Sequence, residues 1–275
     1  MINATSKFPF AKALAAGALL SGALFAGQAA LACQTTAWSA TSGAVTAGDP
    51  AVEDIARYQG LCGLEATGQG YVQDDSPGGI DRIVARFYVL NNNTATATIY
   101  RGFSATDGTG ERFSVTLDDT GLVTLTDNVS TQSVSQSGAN PWVSVEIDWG
   151  QGAGSGFISL SVDGQTAAEA TGLSNSGTAL QSIRLGNLDG AAGTLGFDSY
   201  ESRRSTAVGR LCNCNANGSA DDVVNIQDII TLVNDAGNNS FLSPGTPDCN
   251  EDGQIAILDI IQTVNLAGTS GVCAI

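Results

Sequence analysis

The sequence predicts a mainly β protein: a two-sheet β-sandwich followed by a small α-helical module built from a duplicated loop–helix unit. Three observations carry that expectation. Between residues 38 and 205, apolar and polar residues alternate with period two in short runs broken by Gly, Asn, Asp and Ser. The 34 glycines make the chain rich in turns, and only Ala51–Tyr58 in that region is patterned like a helix. From residue 217 onward, an acidic pattern recurs at a constant offset of 31, and each copy runs into an apolar helical segment.

The predicted strands are Arg82–Leu90, Thr96–Ser104, Arg112–Leu117, Gly121–Thr126, Trp142–Trp149, Gly156–Val162, Ser182–Asn187 and Gly193–Tyr200. Side chains alternate across a strand. Val143, Val145, Ile147 and Trp149 therefore share one face, with Trp142, Ser144, Glu146 and Asp148 on the other. Asp163-Gly164 is a tight-turn signal directly after a strand. So many short strands at close spacing form a sandwich.

Residues 1–32 read as a secretory leader. Lys7 and Lys12 supply the positive end, Ala13–Ala26 the apolar stretch, and Ala30-Leu31-Ala32 the small-x-small cleavage site. The stretch is broken by Gly17, Ser21 and Gly22, and no later apolar run reaches 18 residues, so no membrane span is expected. Lipidation of Cys33 is the competing reading. However, the Leu that a lipobox carries three residues before its Cys is replaced here by Ala30. Six cysteines remain after cleavage, an even number in an exported chain, and a Cys33–Cys62 bond leaves none over.

Composition removes whole classes of function. The chain has 27 acids against 11 bases, a net charge of −16 that becomes −18 without the two leader lysines. That field repels phosphate backbones and anionic lipid surfaces. The absence of histidine removes Ser/His and Cys/His catalysis and His-ligated zinc. Any enzyme here works with carboxylates.

The repeat carries the sharpest chemistry. Asn217 falls on Asp248, Asp221 on Asp252, Val224 on Ile255, Ile226 on Ile257 and Asp228 on Asp259. Asp248, Asn250, Asp252, Gly253 and Asp259 occupy positions 1, 3, 5, 6 and 12 of a 12-residue calcium loop, with the Gln254 backbone carbonyl at position 7. Calcium takes six to eight hard oxygens, and alternate residues of a tight loop aim theirs at one point. The first copy offers Asn217, Ser219, Asp221 and Asp228, with Asp222 where Gly is expected, and is expected to bind Ca2+ less tightly or to be degenerate.

These two loop–helix units, each with Asp at position 12 and an apolar residue at position 8 (Val224, Ile255), resemble a type I dockerin over residues 206–275. The resemblance implies Ca2+ as cofactor and a cohesin-like partner. Its contacts would fall at positions 10 and 11, here Ile226, Gln227, Ile257 and Leu258. The small core between the copies is expected from Ile229, Leu232 and Val233 with Ile260 and Val264. Helical spacing alone leaves open whether Ile226 and Ile257 join it. Cys212 and Cys273 bracket the repeat, while Cys214 and Cys249 sit beside its loops. Of three connectivities, Cys212–Cys273 with Cys214–Cys249 suits those positions.

Residues 33–205 resemble a laminin-G-like, concanavalin A-like jelly roll. The segments that carry the likeness are Tyr71–Pro77, Ala85–Val89, Trp142–Trp149, Leu160–Gly164, Ile183–Gly186 and Phe197–Arg204. Jelly-roll glucanases of the laminarinase type carry Glu-x-Asp-x-Glu on one strand. Here Glu146 and Asp148 match, but Gly150 stands where the general acid belongs, and the amide of Gln151 supplies no acidic proton. Asp74, Asp75 and Asp81 offer a structural calcium site as the alternative to a solvated loop. Together these resemblances imply a secreted, non-catalytic polysaccharide- or surface-polymer-binding protein, tethered to a cohesin-bearing scaffold and associated with polysaccharide breakdown. The alternatives are a jelly-roll glycoside hydrolase and a structural extracellular protein that uses calcium only for stability.

Overall fold

The computed structural model describes residues 34–48, 55–92, 94–137, 141–190, 193–218, 223–238, 243–251 and 255–269. The leader, with Cys33, lies outside them. No helix among the described residues is long and apolar enough to cross a membrane.

Twelve strands are described: β1 (Ala40–Gly48), β2 (Gly63–Asp74), β3 (Arg82–Leu90), β4 (Ala97–Phe103), β5 (Glu111–Leu117), β6 (Leu122–Asp127), β7 (Thr131–Ser135), β8 (Trp142–Gly150), β9 (Ala153–Val162), β10 (Ala168–Ser174), β11 (Ser182–Asn187) and β12 (Leu195–Arg203). Two helices follow, α1 (Ile226–Asn238) and α2 (Ile257–Thr269). All eight predicted strands are present. Sequence patterning missed β1, β2, β7 and β10.

The pairing links the two layers of the expected sandwich. The ladder runs continuously in the order β10-β9-β8-β3-β12-β2-β11-β4-β5-β6-β7, with β1 added alongside β2. The long strand β2 makes this possible. Its first part pairs with β12 through Leu64–Ala66 and its last part with β11 through Gly70–Asp74. Glycine lets β1 pack closely against β2 here. A Cβ at Gly70 would lie 2.7 Å from the Ala44 backbone nitrogen, closer than real Cβ contacts come. The sheet folds over so that β6 and β7 lie against β9, and the two layers close on one core.

That core takes the inward face of β8 as expected: Val143, Val145, Ile147 and Trp149 are fully buried with Phe87, Phe113, Leu160 and Phe197. The opposite face of β8 differs. Trp142 and Ser144 are buried as well, because Trp142 joins Tyr58 and Tyr88 in a second apolar cluster against Leu211. Of the stretch Ala51–Tyr58, residues 51–54 lie outside the described residues, and residues 55–58 are not helical. The backbone N–H groups of Tyr58 and Gln59 donate instead to the Asp198 carboxylate at 2.6 and 2.8 Å.

Candidate functional site

The duplicated module is built around its two position-12 aspartates. Asp228 and Asp259 have no solvent exposure. In the first copy, Asp228 accepts N–H groups from Asn217 (3.0 Å) and Asn225 (2.8 Å). In the second, Asp259 accepts them from Asn250 (3.2 Å) and Ala256 (2.7 Å). Each carboxylate therefore ties the front of its loop to position 9, at the start of its helix. Asn225 adds a cap by accepting the Gln227 N–H at 2.8 Å. Both aspartates lie in a first helical turn, where the helix dipole favours negative charge.

Asp248 is also buried, and Asn217 and Asn250 are half-buried beside these carboxylates. The proposed ligands Ser219, Asp221, Asp252 and Gln254 lie outside the described residues. The described donor set is made of carboxylate and amide oxygens, the hard ligands that calcium takes, and a buried carboxylate is costly without cations or several N–H donors. Of the expected calcium ligands, the described ones are Asn217 and Asp228 in the first copy and Asp248, Asn250 and Asp259 in the second.

The aspartates also set the phase of the helices. At about 100° per residue, a side chain two positions from an inward-facing Asp points roughly to the opposite side. Leu232 is accordingly buried on α1 and Thr263 on α2, with Val224, Ala216 and the cysteines, while Ile255, Ile260 and Leu266 pack around them. Ile229 is half-buried. The expected core rows need correction here: Val233 and Val264 face solvent, 48% and 47% exposed. The same phase places Ile226 (63%), Ile257 (64%) and Leu258 (54%) outside, and Gln227 is exposed beside them. Ile230 and Ile261 complete the surface. The pairs Ile226/Ile257, Ile230/Ile261 and Val233/Val264 are equivalent under the 31-residue offset, so both copies present the same aliphatic row.

Cys214 and Cys249 form a disulfide with Cα atoms 4.7 Å apart, joining the approaches to the two loops. Cys62 and Cys212 are disulfide-bonded too. Cys33 and Cys273, the partners expected for them, lie outside the described residues.

The would-be catalytic strand is occupied by structure. Asp148 takes a two-pronged ion pair from Arg82, at 2.9 and 2.6 Å. Glu146 accepts the Gly209 N–H at 2.6 Å, which ties residues 205–210 across the outer face of β3 and β8. A Cβ at Gly150 would come 2.5 Å from the Phe157 ring, so any side chain there requires that ring to move. Gln151 bridges Arg112 and Asp81. Asp74 and Asp75 are engaged locally, by Ser76 and by Gln73. Among the described residues, no group of three or more His, Cys, Asp or Glu side chains is placed to hold a metal.

No family model matches the chain, and no curated protein matches it. Among solved structures it overlaps a Trypanosoma rangeli sialidase in complex with 2,3-difluoro-KDN (TM-score 0.40, 13% identity, 52% of this chain and 26% of that one). It also overlaps the binding domain of botulinum neurotoxin DC in complex with SialylT (0.41, 12%, 61% and 43%). A third is a GH131 beta-glucanase catalytic domain from Podospora anserina (0.32, 13%, 59% and 79%). The chain thus spans about a quarter of the sialidase and under half of the neurotoxin domain.

Proposed function

We propose that this is a secreted, non-catalytic adaptor: a β-sandwich that binds a polysaccharide or other surface polymer, carried on a calcium-dependent dockerin-like module that attaches it to a cohesin-like partner. One observation carries the reading. The two copies of the loop–helix unit expose the same three aliphatic positions, and Leu258 adds a fourth on the second copy. Ile226, Ile230 and Val233 follow i, i+4, i+7 spacing along α1, as their equivalents do along α2, and a row of exposed aliphatic residues marks an interaction site more than singly scattered ones do.

The glycoside hydrolase alternative lacks support at the chemical step. A retaining glycosidase needs two carboxyl groups about 5 to 5.5 Å apart, one of them protonated. Here one carboxylate is held by an arginine, the other by the backbone of the 205–210 segment, and Gly150 abuts Phe157.

The test is capture of the full chain on an immobilised type I cohesin, in calcium and in chelator, for wild type and Leu258→Asp. The expected result is capture in calcium only, lost in Leu258→Asp with the melting temperature unchanged. Absence of capture in calcium, or equal capture by the variant, overturns the docking role. Affinity electrophoresis through gels containing β-glucan or alginate tests the sandwich, with retarded mobility expected for at least one polymer.

A further inference from the structure

Because β2 gives its first part to β12 and its last part to β11, those two strands part company along it. A cavity of about 160 Å³ opens there. Its apolar lining comes from Leu64, Leu185 and Phe197, none more than 8% exposed. Trp38 and Tyr200 line it as well, with ring centroids 5.2 Å apart and planes tilted by 46°. Asp198 and Ser199 bring a carboxylate and a hydroxyl to the same lining.

Each of these groups is held in place. The Tyr200 hydroxyl lies 3.3 Å from that of the fully buried Tyr100. Trp38 closes the short 3-10 turn Thr35–Ala37 by donating its N–H to the Thr35 carbonyl at 3.0 Å, and the next N–H, of Ser39, donates to the Gln73 carbonyl of β2 at 2.8 Å. The polar groups stand at a break in β12, whose register against β3 shifts between Asp198 and Glu201. Ser199 has a left-handed backbone there, φ 52°. Bulges and strained residues of this kind gather where a strand re-aims side chains at a ligand. Asp198 also keeps acceptor capacity. Its Oδ2 takes the N–H groups of Tyr58 and Gln59, while Oδ1 takes the Ser199 N–H at 2.5 Å, which leaves a lone pair on that oxygen.

We propose that this cavity binds the terminal ring of a neutral polysaccharide, one pyranose deep. The inference rests on the polymer-binding role proposed above for the sandwich and gives that role a place. Size limits the occupant: a cavity of about 150 Å³ holds a benzene ring, whereas sites for larger ligands begin near 300 Å³. One six-membered ring therefore enters and the rest of the chain stays outside. A pyranose combines an apolar C–H face with a rim of hydroxyls. The face packs on Trp38 and Tyr200, and the rim donates to Asp198 Oδ1 and exchanges a hydrogen bond with the Ser199 hydroxyl. Charge selects a neutral sugar. Burial raises the Asp198 carboxyl to about 6, so it is still mostly ionised at pH 7, and the whole chain carries −16, which together repel a uronate.

The test titrates the full chain with laminaribiose, cellobiose and mannobiose, and with a mannuronate dimer and choline as charged controls. Binding is read by calorimetry and by tryptophan emission. Trp142 and Trp149 are at most 1% exposed, so a ligand-induced change in emission reports the half-buried Trp38. Two variants accompany wild type. Trp38→Ala removes one wall, and Ala47→Leu fills the cavity from the half-buried β1 position paired with Leu64. The expected result is saturable binding of at least one neutral disaccharide, lost in Ala47→Leu at an unchanged melting temperature and weakened about tenfold in Trp38→Ala. Wild type retarded in a β-glucan gel with no disaccharide bound, or with both variants binding as wild type does, overturns the cavity alone. The mannuronate dimer or choline bound as tightly as the neutral sugars overturns the neutral-ring assignment. Wild type that neither binds a disaccharide nor is retarded in any polymer gel overturns the polymer-binding reading together with the cavity.

Discussion

Leu232 and Val233 are neighbours on α1, and truncating each to alanine separates the inward face of the module from its outward face. Leu232 has no solvent exposure and packs among Val224, Ala216 and the cysteines. Its truncation removes buried methyl groups and leaves a cavity, with an expected loss of about 2–4 kcal/mol. Val233 is 48% exposed. Its truncation forfeits at most about 1 kcal/mol of burial, and alanine's better helix propensity returns roughly half of that. The net change should stay below about 0.5 kcal/mol. Denaturant unfolding followed by the helical circular dichroism signal, in calcium and in chelator, gives both numbers. Equal losses, or a larger loss for Val233→Ala, would refute the helix phase on which the exposed aliphatic surface depends.

Three further outcomes are expected. Replacing Cys214 and Cys249 together by serine should lower the module's stability by roughly 4 kcal/mol, the chain-entropy value for a bridge spanning 35 residues, measured as a shift of the denaturation midpoint. Burial raises the Asp198 carboxyl from 3.8 to about 6, against the pull of its N–H donors. Its protonation thus favours the folded state below about pH 4, and that contribution is lost as pH rises through about 6; the stability advantage of wild type over Asp198→Asn should grow on acidification from pH 7 to 4, and a flat difference contradicts the assignment. A reducing-sugar assay on a β-glucan panel should show no turnover for wild type or Glu146→Gln, and turnover abolished by that substitution would restore the enzyme reading.

The strands that match the sequence reading most closely are those buried along most of their length. Arg82–Leu90 and Ser182–Asn187 match β3 and β11 residue for residue, because core burial enforces their pattern. The strands that escaped are edge or glycine-rich. β1 is mostly exposed Ala, Gly and Thr, β7 and β10 are largely solvent-facing, and β2 carries glycines at 63, 68 and 70. The duplication was legible because a repeat offset is a property of the sequence alone, and the two helices begin at its equivalent positions, Ile226 and Ile257. The helix phase was only half legible: Leu232 lies inside as expected, but Val233 and Val264 do not, since the inward aspartates rather than the apolar pattern fix the rotation. Glu251 and Tyr58 carried no local signal. Their pairing joins residues 193 apart in sequence, and a Glu at loop position 4 reads as solvated until the sandwich is placed beside it.

The most direct measurement is a calorimetric calcium titration of the full chain, run beside Asp252→Ala and Asp221→Ala. The account predicts at least one tight site in wild type, its loss in Asp252→Ala, and a lesser effect of Asp221→Ala, whose loop has two anionic ligands where the second has three. A wild-type chain that takes up no calcium, or two variants weakened to the same extent, would contradict it.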